Sequence, residues 1–402
     1  MSERWDAIVV GAGPAGATTA LLLARAGAAV LLLDRARFPR DKPCSEYVSP
    51  AATAILERLG PDVIGAVERA PHAKLSGMKV VAPAGAAMCG HFGGRSSFAL
   101  PRRALDTILV RAAARAGAVV REQAAVDGLV WEQGTVVGVT GRSAGGAREP
   151  WRARVVVGAD GLRSVVARRL GVARSGRPHR VAFTAHVADV AGLDGVGELH
   201  VSDHGYVGLG PVGDGVATVA LVVPLAMVRA RGRDYQRGFF GELERFPGLR
   251  GRFDPRRLVR EVLTTGPFAR WARVPVAAGA LLVGDAADFF DPFTGQGIYA
   301  ALRGAELAAA TLAPALAAGP GRGALPRAVL APYVRARRRA FLGKWLLERL
   351  IGWGVGWPGL TDRVVARLAR RPDLADLLVG ASGNIVPARR VFAPAVLARL
   401  LW

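Results

Sequence analysis

The sequence predicts an α/β protein with a Rossmann-like nucleotide-binding domain, a mixed β-sheet substrate domain and a C-terminal helical region. Three observations predict it. The chain opens with an apolar strand, a glycine-rich turn and an apolar helix, in DAIVVGAGPAGATTALLLARAGAAVLLLDR. Two later strands end in acidic turns, Val155–Ser164 (VVVGADGLRS) and Leu281–Ala286 (LLVGDA). The segments between them alternate like sheet, and after about Gly319 the chain turns helical and Arg-rich.

The opening unit comes first. Residues 7–10 (AIVV) read as a buried parallel strand, and a helix runs from about Ala17 to Ala26, ended by Gly27. Val30 to Leu33 form the next strand, and Asp34 stands 18 positions after Gly16. This is a complete β-α-β frame around G-x-G-x-x-G. Gly11 permits the tight turn, Gly13 clears a path for a pyrophosphate, and Gly16 lets helix and strand pack closely. The helix start offers free N–H groups and a positive dipole end to phosphate. Asp34 is placed to accept from ribose hydroxyls. Pro14, Ala15 and Arg35 complete this expected cofactor-binding set.

The same glycine pattern recurs at Gly208–Gly213 and Gly354–Gly359. Neither copy opens a helix after a strand with an acidic residue downstream. The first reads as a hairpin or turn near a pocket, and the second as a Trp-flanked loop.

The later motifs choose the dinucleotide. Asp160-Gly161 closes one strand. Gly284-Asp285 closes another, followed by Asp291-Pro292-Phe-Thr-Gly295-Gln296-Gly297 and a long Ala-rich helix from Ile298. Asp285 at a strand end suits ribityl hydroxyls. The Gly295–Gly297 turn presents N–H groups at a helix start, which suits the flavin edge where negative charge gathers on reduction. Pro292 offers the ring a flat apolar surface. Together these point to a Rossmann-like FAD-binding domain and exclude a plain NAD site.

On these residues the chain resembles the glutathione-reductase-type FAD superfamily. The resemblance is to the branch with p-hydroxybenzoate hydroxylase, flavin halogenases and geranylgeranyl reductases, over about residues 5–320. It implies that Arg102, in PRRALDTIL, opens a helix and contacts FAD. The stretch Phe38–Pro50 (FPRDKPCSEYVSP) resembles the D-K-x-C-G-E-G segment of geranylgeranyl reductases, which lies near the flavin. Ser45 and Tyr47 stand where that group usually has glycines, so a less permissive backbone is expected here. The resemblance places Cys44 at the flavin, as a cofactor contact and a catalytic candidate for proton delivery or substrate placement. Glu46 is the neighbouring candidate acid or base if buried. Cys89 lacks such context and is expected to be structural.

The nucleotide signatures divide the chain discontinuously. Residues 1–75, 98–172 and 270–320 are expected to form the FAD-binding domain. Residues 76–97 and 173–269 would form the substrate domain, and 321–402 a helical cap. Strand-like stretches at Arg180–Val187, Val216–Val223 and Arg257–Leu263, with a turn at Gly213–Gly215, are expected to roof the flavin. The cavity-lining Tyr-x-Trp-x-Phe-Pro-like run of prenyl reductases has its nearest counterpart in Gly205–Pro211. Tyr206 remains there as a third catalytic candidate, while the large aromatics are replaced by Val and Gly. The W-x-W-x-I-P element of flavin halogenases is absent.

Composition bounds the partners. Hydrophobic residues make up 51% of 402, enough for a sizeable core. No run reaches about 18 apolar residues without charge, so no transmembrane helix is expected. The start MSERW lacks signal-peptide features, so a cytoplasmic protein is expected. The net charge is +22, but all except four of its 54 basic residues are scattered Arg, without a nucleic-acid module. Two cysteines without a C-x-x-C pair, and six histidines without ligand spacing, argue against a metal site. His200 and His204 read as exposed or satisfied. Residues 341–351 (FLGKWLLERLI) place Phe341, Trp345, Leu346, Leu350 and Ile351 on an apolar side, with Trp353 and Trp357 after them. One reading is a cap over the cavity. The other is peripheral contact through 341–357 with the inner face of a membrane.

The expected function is an FAD-dependent oxidoreductase of a hydrophobic small molecule, a geranylgeranyl-reductase-like reduction of a prenyl or polyketide lipid. NAD(P)H or a reduced electron carrier would be the donor. The alternatives are a flavin monooxygenase hydroxylating an aromatic ring and, more remotely, a lipid-binding escort of the kind the Rab GDP-dissociation inhibitors represent.

Overall fold

The computed structural model describes residues 4–177, 179–232, 234–318 and 323–401. The start of the N-terminus and the expected boundary between 320 and 321 lie outside them.

Five strands, apolar over most of the stretches where they pair, cannot be half-exposed and stable, so they stack in parallel with both faces covered. The central order is Ala280–Leu282, Arg148–Gly158, Arg4–Val10, Val30–Leu33 and Val119–Arg121, all parallel. Ile8, Val9, Leu31 and Leu32 are fully buried, each worth roughly 1.5–3 kcal/mol relative to exposure. Strand Arg148–Gly158 runs on into an antiparallel meander with Thr135–Arg142 and Ala125–Glu132. Helices Pro14–Arg25, Arg102–Arg115 and Gly297–Ala317 pack together on one face. Trp5, Val136 and Trp151 close the other.

The second sheet has seven strands, in the order Leu258–Thr265, Arg180–Ala188, Val216–Pro224, Gly205–Gly213, Gly197–Ser202, Gly77–Val81 and Ala87–His91. All its pairs are antiparallel except Gly197–Ser202 with Gly77–Val81, so it is mixed. Phe239, Leu243, Phe246 and Leu249 cover its outer face. Helices Arg327–Gly354, Pro358–Ala369, Pro372–Ser382 and Pro394–Leu401 form the C-terminal bundle.

Four expectations are corrected. Gly208–Gly213 is no hairpin or turn: Gly205–Gly213 is one continuous strand. The first helix begins at Pro14, because a proline at the first helical position loses no hydrogen bond. Cys89 is exposed on an edge strand, with Sγ 3.9 Å from His91 Nε2, so it is not part of a core. The apolar side of 341–351 splits: Phe341 is buried, while Leu346 and Leu350 face outward.

Candidate active site

The Gly11–Gly16 turn is shaped by what cannot fit. Gly11 has φ +96°, and a Cβ there would lie 2.6 Å from the Ala159 carbonyl oxygen. A Cβ on Gly16 would lie 1.8 Å from the Gly11 carbonyl oxygen. Gly13 caps the helix Pro14–Arg25 without a side-chain hydrogen bond, leaving its first N–H groups free. Asp34 is buried beside the turn. Its Oδ2 accepts from Ala12 N (2.7 Å) and its Oδ1 from Ala36 N (2.8 Å). Arg35 points out into solvent.

Three cations converge on this turn. Arg102 makes a bidentate pair with buried Asp106 (2.7 and 2.8 Å). Burial opposes its charge, but Asp106 outweighs that and holds the guanidinium protonated. Arg40 lies 3.1 Å from Asp106 and 3.9 Å from Asp34. A Cβ on Gly13 would come 3.6 Å from Arg102 Nη2 and 3.9 Å from Arg40 Nη2. Lys42 is the third, and its pKa is lowered by burial and then by repulsion from Arg102. Arg40 and Lys42 were not singled out from sequence, although two cations in three residues of the D-K-x-C stretch were a usable signal.

Lys42 and Arg102 line one large cavity together with Gly13, Pro14, Asp285 and Pro292. It holds about 1530 Å³ of atom-free space, part of it open to solvent. Gly295 and Gly297 reach the same wall, and the helix Gly297–Ala317 has no side-chain cap either. Gly284 has φ +62°, and a Cβ there would lie 2.9 Å from Ala15 Cβ, so the two turns touch. Gln296 is buried off the wall. Gly161 lines the cavity, whereas Asp160 turns away and accepts from Val165 N and Val166 N at a helix start. Burial raises the Asp160 pKa, and its Oδ1 has no partner.

The three catalytic candidates part company. Cys44 lines the cavity, and its Sγ accepts from Glu46 N at 3.3 Å. Tyr206 also lines it, its ring edge-on to Phe293. The Tyr206 hydroxyl donates to Asp291 Oδ1 (2.6 Å), and Arg180 Nη1 donates to Asp291 Oδ2 (2.9 Å). Burial and then Asp291 push the tyrosine pKa well up, so it stays protonated. Glu46 is off the wall and fully buried. Its Oε2 accepts from His186 Nε2 (2.6 Å), and its Oε1 from Arg102 N and Arg260 Nη1 (both 3.2 Å). Both of its carboxylate oxygens are thus engaged by partners from distant elements, and the side chain does not reach the cavity wall. Glu46 itself, with φ +61°, carries the strained backbone that was expected of Ser45 and Tyr47.

The far wall is mostly apolar, with Leu199, Leu209, Ala220, Val222, Phe268 and Phe289, and also carries Thr184, Glu198 and Thr218. The expected histidines serve structure. His200 is buried against Glu198 (2.6 Å), which also pairs with Arg252 (2.7 Å). Burial would raise the Glu198 pKa, but these partners pull it down to about 2.

The sequence profile of the FAD binding domain family matches residues 4–341. The chain belongs to this family. It is therefore an FAD-binding oxidoreductase, and its wall fits the cofactor: a Cβ-free turn, uncapped helix starts and two cations, Lys42 and Arg102, with Arg40 beside them on Asp106. Among relatives of the family, the digeranylgeranylglycerophospholipid reductase of Methanosarcina mazei is 30% identical over 333 residues, 79% of this chain and 77% of the relative. The digeranylgeranylglycerophospholipid reductase 2 of Methanothermobacter thermautotrophicus is 29% identical over 381 residues, 93% of each. A geranylgeranyl bacteriochlorophyll reductase-like structure from Thermoplasma acidophilum superposes with a TM-score of 0.79 at 22% identity, covering 98% of this chain and 99% of that one. The flavin-dependent brominase Bmp2 gives 0.82 at 20%, with the same coverage. At such identities the structures share the fold, and the fold hosts more than one reaction.

Proposed function

We propose that the protein reduces a carbon–carbon double bond in a prenyl or polyketide lipid. One observation carries the reading: a single cavity is cationic and glycine-lined at one end and mostly apolar at the other. The relatives named as digeranylgeranylglycerophospholipid reductases support it.

Gly11–Gly16 and the cations Arg40, Lys42 and Arg102 would hold the pyrophosphate of FAD. Asp34 would hold the adenosine ribose and Asp285 the ribityl chain, with Pro292 and the Gly297 helix start left for the ring. Reduced FAD, when bound, supplies hydride to one carbon of the double bond; the protein binds, orients and excludes water. Cys44, at the wall between the two ends, holds the proton that completes the reduction at the other carbon. Leu199, Leu209, Val222 and Phe268 hold the hydrocarbon by burial alone, which sets chain bulk more sharply than polarity. The donor that restores reduced FAD is NAD(P)H or a reduced carrier.

The test is anaerobic. The photoreduced holoprotein is mixed with a geranylgeranyl lipid, and the flavin spectrum and product mass are recorded. Reoxidation with a product heavier by two hydrogens is expected. Reoxidation only after oxygen is admitted, with a hydroxylated product from an aromatic acceptor, overturns the reading in favour of a monooxygenase.

A further inference from the structure

The helix Arg327–Gly354 shows two faces. Its buried face is part of the site: Ile351 and Val355, just past its end, pack with Tyr206, Val222 and Phe268. The Gly352 carbonyl accepts from Arg180 (3.2 Å). The opposite face is mainly apolar and bare, with exposed Arg349 set among its leucines. Leu342, Leu346, Leu350 and Trp353 follow at intervals of four, four and three, which keeps them on one narrow stripe, and Trp357 stands in the turn just past the helix end. Trp353 and Trp357 are 69% and 70% exposed, and Leu360 extends the patch onto the next helix. Burial drives folding, so a stripe of this size left in water needs an occupant.

The same face says which. Arg335, Arg338 and Arg339 are exposed on it, one to two turns before Leu342. None has an acidic partner among the described residues. The face is thus basic at one end and apolar with tryptophan at the other. A second copy packed through a two-fold axis brings the same patch against itself, arginines included, on a chain of net charge +22. A bilayer with anionic headgroups satisfies both ends. Arginine meets phosphate, tryptophan sits at headgroup level, and leucine enters the acyl boundary.

We infer that the Arg335–Leu360 face docks the protein on an anionic lipid surface, with Trp353, Trp357 and Leu350 inserted and Arg335, Arg338 and Arg339 at the phosphates. No helix among the described residues is long and apolar enough to cross a membrane, so the contact is peripheral. The docked end lies directly behind the apolar cluster of the cavity. The inference rests on this face and not on the identity of the substrate.

The test uses the FAD-loaded protein and vesicles of phosphatidylcholine with and without phosphatidylglycerol, with no substrate added. The wild type is expected to co-sediment with the anionic vesicles and to shift its tryptophan emission to shorter wavelength. Trp353→Ser with Trp357→Ser weakens binding at least about tenfold. Arg335→Glu, Arg338→Glu and Arg339→Glu weaken it about fivefold per charge removed. Retained flavin absorbance shows that each variant is folded. Wild-type protein that ignores anionic vesicles overturns the inference, as do variants that bind like wild type. A wild-type dimer that both variants turn into monomers, with vesicle binding unchanged, assigns the face to a second copy.

Discussion

Gly11–Gly16 and Gly208–Gly213 share one glycine spacing and line the same cavity. In the first, the glycines serve the backbone. Gly11 has a left-handed φ and Gly16 has a carbonyl oxygen where a side chain would be. In the second, Gly208 and Gly210 sit in an ordinary extended strand, where a Cβ would meet its nearest neighbours at 3.8 and 3.9 Å. Those two glycines serve space, leaving room where a side chain would fill the pocket, while only Gly213, at the strand end with φ +102°, is held by its backbone. A glycine pattern therefore carries no chemistry until its backbone is known. At the cofactor end, shape comes from the chain itself, while at the apolar end it comes from which side chains are absent.

The comparison is broken most violently at Gly16. Gly16→Val drives a side chain into the Gly11 carbonyl, a strain well above the 1–3 kcal/mol or so of ordinary overpacking. The purified variant should be colourless, without the visible flavin absorbance of bound cofactor. Next comes Arg102→Gln. It leaves Asp106 buried with a reduced set of partners, and a cost of about 3–5 kcal/mol is expected in chemical denaturation, with FAD retention lost alongside. Tyr206→Phe removes one of the hydrogen bonds to Asp291 Oδ1 and should cost about 1–3 kcal/mol while FAD stays bound. Equal loss of flavin in this variant and in Arg102→Gln would erase the distinction between the two ends.

A smaller effect concerns Lys42. Its pKa in the folded protein lies below the ordinary 10.5, through burial and Arg102. Apoprotein therefore loses the Lys42 proton before a free lysine would. A pyrophosphate favours the protonated form, so FAD binding above that lowered value takes up a proton. Affinity for FAD should fall as pH rises through it, and the slope should flatten in Lys42→Gln. A fluorescence titration of apoprotein with FAD, from neutral pH upward, reads both.

The smallest effect is expected at the second glycine run. Gly208→Ala meets only ordinary contacts and should change stability by less than about 1 kcal/mol. Gly210→Leu should keep FAD and lose activity on the bulkiest lipid acceptors first. Loss of FAD from either variant would mean that this strand, too, is backbone-limited.

The cofactor end was legible because few residues tolerate its geometry. Gly11, Gly13, Gly16 and Asp34 are fixed by one turn and lie within one β-α-β unit. The setting of Glu46 was not legible, because its partners His186 and Arg260 lie 140 and 214 positions away. No local pattern shows that a carboxylate is already fully engaged. Asp291, Arg180 and Tyr206 form one buried network from three elements; Asp291 and Tyr206 stood out beforehand in separate motifs, but nothing local linked them. The outward turn of Leu346 and Leu350 was equally hidden. Periodicity shows that an apolar stripe exists, not which stripe meets the core.

By itself the sequence determined the α/β class, the nucleotide turn and the flavin motifs. Each rests on local conformational rules that a short segment must obey. Only the tertiary structure decided that Arg40 and Lys42 join Arg102, that Glu46 braces a loop, that Gly208 leaves space and that the tryptophans stay bare. Those outcomes depend on which surfaces meet, and contacts between distant segments are set by packing the whole chain.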